Sequence, residues 1–101
     1  MLKKTYTATG KKCRVTFHYA DSGAASAALA GEFNGWSATE TPMKRLKSGE
    51  FAVTLMLDAG RDYAFRYVVD GQRWVNEPEA DKYVRNEFGE DNSVVTVPLP
   101  E

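Results

Sequence analysis

The sequence predicts an all-β sandwich of about seven strands. Three observations carry that expectation. Apolar residues recur with a period of two over most of the chain, turn residues break the runs at regular spacing, and helix propensity is confined to one short alanine-rich stretch.

The first run places Cys13, Val15, Phe17 and Tyr19 in alternation with Arg14, Thr16 and His18. Successive side chains of a strand point to opposite faces, so the first set is expected in the core and the second in solvent. Asp21-Ser22-Gly23 ends this run. The stretch from Ala24 to Ala30 is nearly all alanine, and its intrinsic propensity is helical. It is bounded by Gly23 and Gly31, and a helix that short is marginal without tertiary support. We therefore expect a strand, with Ala27, Leu29, Gly31 and Phe33 facing in. After Ser48-Gly49, Phe51, Val53, Leu55 and Leu57 alternate with Ala52, Thr54 and Met56. Asp58-Ala59-Gly60 separates this strand from the next, in which Tyr63, Phe65, Tyr67 and Val69 alternate with Ala64, Arg66 and Val68. Asp70-Gly71 follows, a pair that tolerates positive φ at both centres of a type I′ hairpin turn. The β-branched run Ser93 to Val97 is the last strand.

A length of 101 residues fits one domain, expected over 1–101 with its core at about 14–97. It excludes a (β/α)₈ barrel, which needs roughly 250 residues. Thirteen basic residues oppose 14 acidic ones, for a net charge of −1. No basic excess is available to neutralise phosphates, so nucleic acid is not an expected partner. A single cysteine, Cys13, cannot form an intrachain disulfide, which suits a reducing compartment. Its phase with Val15 and Phe17 predicts a buried, inert thiol. The two lysines near the start are followed by no apolar stretch, so neither a signal peptide nor a membrane span is expected. The cytoplasm is the expected location.

Enzyme signatures fail. No nucleophile elbow, phosphate loop or zinc-ligand spacing occurs, and His18 is the one histidine, on an outward strand position. Neither a metal nor a cofactor is expected. Glycoside hydrolysis needs a pair of carboxylates. Glu77, Glu79, Asp81, Glu87, Glu90 and Asp91 are available, but they lie in a polar C-terminal third and are expected as solvated loop residues.

The aromatic residues say more. Trp36 follows the turn-like Phe33-Asn34-Gly35 and falls outside any period-two run; Trp74 comes just after the Asp70-Gly71 turn. One structural account makes one of them the buried pin of the sandwich. The functional account makes both stacking platforms, because an indole offers a flat π face to the C–H face of a sugar. Arg66 points outward by alternation and can donate several hydrogen bonds to hydroxyls.

Three segments in order carry a resemblance. They are Leu29-Ala30-Gly31-Glu32-Phe33-Asn34-Gly35-Trp36-Ser37, Tyr63 to Trp74, and Asn86 to Val95. Together they resemble the family 48 carbohydrate-binding modules, over most of the chain from about Arg14 to Val97. That family includes the glycogen-binding domain of the AMP-activated kinase β subunit and the N-terminal early-set domains of isoamylases and branching enzymes. The resemblance implies an immunoglobulin-like, early-set sandwich that binds an α-1,4-glucan, as polysaccharide or maltooligosaccharide, without catalysis. It implies carbohydrate-binding roles for Trp36, Arg66, Trp74, Phe88 and Asn92. Arg66 stands where the kinase domains carry lysine, and Phe88 where they carry a leucine that packs on the sugar. Asn92 matches an asparagine that bonds hydroxyls, and Glu90 replaces a threonine near the ligand. Trp74 sits one residue further from the Asp-Gly turn than in the kinase subunits. A glycogen-metabolising enzyme is the further partner such a module implies. The rival function is a structural or protein-interaction domain that keeps the fold and not the sugar; intact Trp36 and Trp74 favour the binder.

Overall fold

In the computed structural model, which describes residues 2–21 and 23–100, the period-two runs form two antiparallel sheets packed face to face. Ser22 of the first turn, and Met1 and Glu101 at the ends of the expected domain, lie outside the described residues. One sheet contains β1 (Leu2–Tyr6), β2 (Lys12–Ala20), β5 (Glu50–Asp58) and β4 (Lys44–Arg45), in the order β1-β2-β5-β4. The other contains β3 (Ala27–Gly31), β6 (Arg61–Val69), β9 (Asp91–Val97) and β8 (Lys82–Arg85), in the order β3-β6-β9-β8, with β7 (Arg73–Val75) also paired to β6.

The inward residues are those that alternation selects. Cys13, Val15, Phe17, Phe51 and Leu57 from one sheet meet Leu29, Tyr63, Phe65, Tyr67, Val69, Val95 and Val97 from the other, all buried. Phe17 meets Phe65 edge-on with ring centroids 5.0 Å apart, and Tyr19 lies 5.1 Å from Tyr67. These quadrupole-matched contacts add to the area term.

Ala27, Leu29 and Gly31 are buried within β3, as their phase predicts. Here packing overrides alanine's helical propensity. A Cβ on Gly31 would stand 2.7 Å from Ala64 O and 2.9 Å from Phe65 Cβ, so only glycine lets the strand come this close to β6. The strand is shorter than the alanine stretch, however. Ala24 to Ser26 precede it, and Phe33 sits in a 3₁₀ turn, Glu32–Asn34, from which it still reaches Phe17 at 5.9 Å.

Nine strands appear among the described residues where periodicity predicts about seven. The added ones are short or polar. Lys4 of β1 occupies a half-buried position because its ammonium pairs with Asp81 at 2.6 Å. At the Asp70-Gly71 turn, φ is 53° and 72°, as a type I′ turn requires. Asp70 also caps the approach to β3, since its Oδ1 accepts from the N–H groups of Ala25 (2.7 Å) and Ser26 (3.0 Å).

Other residues depart from expectation too, among them Val68, which is buried although alternation sets it on the outer face. His18 is half-buried and not on a freely solvated face. Glu77 is fully buried instead of lying in a solvated loop. Its carboxylate accepts from the Tyr67 hydroxyl at 2.8 Å and from Glu79 N–H at 2.8 Å, which compensates its desolvation. Burial, and then the Glu77 charge, push the Tyr67 hydroxyl far above the usual phenol range. It therefore remains a donor.

Candidate functional site

The geometry of β6 decides where the outward side chains collect. Residues 61–65 of this strand pair with β9, and 67–69 pair with β7, so one edge passes from one neighbour to the other at Arg66. Arg66 and Val68 project from the outer face, opposite the buried Phe65 and Tyr67. Residues paired in an antiparallel ladder share a face. Trp74, paired with Val68, therefore stands on the same outer surface, where it is 41% exposed. Asn92 lies next to the buried Ser93 and faces outward as well.

Between β7 and β9 the ladder is completed by a side chain. Asn76 Oδ1 accepts from Ser93 N–H at 2.9 Å, and its Nδ2 donates to Asp91 O at 2.8 Å. This is the donor-acceptor pattern of a neighbouring strand, supplied by one amide. Ser93 Oγ donates to Asn76 Oδ1 and accepts from Glu77 N–H, each at 2.8 Å. The buried Glu77 loop is thus tied to the strand that carries Asn92.

Trp36 is delivered by a tight reversal. Gly35 (φ 67°) and Trp36 (φ 61°) are consecutive left-handed residues, and Trp36 N–H closes the loop onto Gly31 O at 2.8 Å. A left-handed conformation costs a residue with a Cβ roughly 1–2 kcal/mol, so the fold must hold it there. Asn34 does so. Its Oδ1 accepts from Gly31 N–H (3.1 Å) and Ser37 N–H (3.2 Å), and its Nδ2 donates to Leu29 O (2.9 Å) and Thr41 Oγ1 (3.0 Å). All four hydrogen-bonding capacities of the amide are used.

Asn86 plays the corresponding part in the loop between β8 and β9. Its Oδ1 accepts from Phe88 N–H (2.9 Å) and Glu90 N–H (3.1 Å), and its Nδ2 donates to Asn92 Oδ1 at 3.3 Å. The loop presents Phe88 with 80% of its surface in solvent. An aromatic so exposed adds little to the core, and its ring faces are open to contact from outside the fold.

Trp36, Arg66, Trp74, Phe88 and Asn92 line one open groove of about 460 Å³, together with Asn86, Glu87 and Glu90. All five residues singled out in the sequence come together there. Neither tryptophan is a core pin: Trp36 is half-buried and Trp74 exposed. The groove offers flat apolar faces with a few polar groups between them. Arg66 is more committed than its outward position suggested. Its side chain is only 11% exposed; Nη2 donates to Asp91 O at 2.6 Å, and Nη1 lies 3.4 Å from Glu90 Oε2. Its Nε is buried with no hydrogen-bond partner among the described residues, a state that costs roughly 1–3 kcal/mol.

Sequence reasoning missed Asn34, Asn76, Asn86, Ser93 and Glu77, which build the groove without forming its stacking surface. The Asn34-Gly35 pair gave a turn signal; the others lack a pattern that distinguishes them from surface polar residues. Among the described residues no group of three or more His, Cys, Asp or Glu could hold a metal ion, and no helix is long and apolar enough to cross a membrane.

A family model described as the glycogen recognition site of AMP-activated protein kinase matches residues 13–101. No curated protein matches the chain. Among solved structures, the enterobactin esterase of Shigella flexneri determined in the presence of enterobactin superposes with a TM-score of 0.78 at 11% identity, covering 99% of this chain and 34% of that one. The same esterase with 2,3-di-hydroxy-N-benzoyl-glycine gives 0.74 at 11%, covering 99% and 33%. At that identity the likeness is one of fold. The chain spans about a third of the length of these esterase structures.

Proposed function

The chain belongs to the family of the glycogen recognition site of AMP-activated protein kinase, a family of carbohydrate-binding modules, and from that premise we propose that it binds an α-1,4-glucan without catalysing a reaction on it. Residues 1–101 act as one binding domain in this account. The indoles of Trp36 and Trp74 stack on glucose faces, Phe88 packs against a further ring, and Arg66 and Asn92 direct hydrogen bonds to hydroxyls. The observation that carries this reading is the convergence of two indoles and an exposed phenyl ring on one groove, with Arg66 and Asn92 between them. Aromatic contacts contribute of order 1 kcal/mol each beyond area burial, so affinity for a short oligosaccharide falls in the micromolar-to-millimolar range. Such a module would bring a glycogen-metabolising enzyme to its polymer.

Native electrophoresis in gels containing glycogen tests the proposal, with a β-linked glucan as control. Retardation by glycogen alone is the expected result. Equal mobility in all gels would favour a structural or protein-interaction role for the same fold.

A further inference from the structure

The charged groups of the groove bear on which glucans it accepts. The lining contains one cation, Arg66, against two carboxylates, Glu87 and Glu90. A phosphate is recognised by a guanidinium through two parallel hydrogen bonds from its planar fork. In this groove the fork is engaged: Nη2 holds Asp91 O at 2.6 Å and Nη1 faces Glu90 Oε2 at 3.4 Å. The Glu90 carboxylate is 62% exposed and the Arg66 side chain 11% exposed, so the acid stands at the solvent side of the pair. An approaching anion meets the carboxylate first.

We propose that Glu90 is a specificity-determining residue that makes the groove select uncharged glucan over phosphorylated glucan. The proposal rests on the reading of this groove as a glucan site. Its physical basis is like-charge exclusion: discrimination arises from a repulsive element against the unwanted ligand as much as from attraction to the wanted one. Glu90 also neutralises the one cation that would otherwise reward an anion. The loop does not depend on its carboxylate, because the Glu90 backbone N–H makes the bond to Asn86 Oδ1.

The test compares maltohexaose with maltohexaose bearing one 6-phosphate, by calorimetry at low salt, on wild type, Glu90→Gln and Glu90→Lys. The readout is the ratio of the two affinities, so any general weakening cancels. Wild type is expected to prefer the neutral sugar by about tenfold, Glu90→Gln to reduce the ratio to about threefold or less, and Glu90→Lys to invert it. A ratio unchanged across the three proteins, with both sugars bound, would overturn the role of Glu90 and leave the glucan site standing. Failure of wild type to bind either sugar would overturn the glucan site, and the selectivity with it.

Discussion

Trp36 combines a cost to stability with a gain elsewhere. Its φ of 61° suits glycine, yet the position carries the largest side chain. Trp36→Gly is expected to match or exceed the melting temperature of Trp36→Ala, because glycine relieves the left-handed strain. Both variants, and Trp74→Ala, are expected to lose most glucan affinity while remaining folded. Thermal melts paired with glycogen retention check this; an unfolded Trp74→Ala would make that indole a core residue after all. Asn34 is the complementary case. Asn34→Asp removes both donors and sets a carboxylate against Leu29 O, so a loss of about 2–3 kcal/mol in urea unfolding is expected, with weakened sugar binding. A variant as stable as wild type would show that the amide does not hold the Trp36 loop.

At the scale of elements, legibility followed burial. The strands with two or more buried apolar positions larger than alanine in phase, β2, β5, β6 and β9, stood out in the sequence because one face had to be apolar. Strand β8, with all four residues exposed, carried no such signal, and β1 hid its phase behind Lys4. The aromatic side chains of the groove, Arg66 and Asn92 were legible through spacing and resemblance, whereas the amides that fix the loops around them were not. A polar residue that replaces a missing strand, as Asn76 does, looks like any loop asparagine until the gap is seen. Asp81 shows how such links tie elements together. Its Oδ2 accepts from Lys4 of β1 (2.6 Å) and from Thr96 N–H of β9 (2.8 Å). Burial pushes the Asp81 carboxyl up, but the bonds from Lys4 and Thr96 outweigh it and leave its pKa below the ordinary value. The folded value is depressed, so this contribution is complete above the ordinary carboxylate range and is lost as pH falls through the depressed value. The melting-temperature gap between wild type and Asp81→Asn is expected to be larger at pH 7 than near pH 3. A gap independent of pH would contradict the assignment.

The whole molecule is close to charge-neutral, with a net charge of −1. A neutral polyglucose has no condensed counterions to release. Affinity for glycogen is therefore expected to change less than about twofold between ~50 and ~200 mM sodium chloride, and a tenfold loss would indicate an anionic ligand. The core is sealed between the two sheets, and the groove is built on the outer face by two loops and one strand junction. A second hollow, lined by His18, Tyr19 and Glu77 among others, lies apart from the indoles.

The most direct measurement is a heteronuclear NMR titration with maltohexaose. The account predicts that the indole N–H signals of Trp36 and Trp74, the side-chain amides of Asn86 and Asn92, and the backbone around Phe88 shift together with one dissociation constant. His18 and Tyr19 are expected to stay still. Shifts centred on His18 and Tyr19, or a saturating titration that leaves both indoles unmoved, would contradict it.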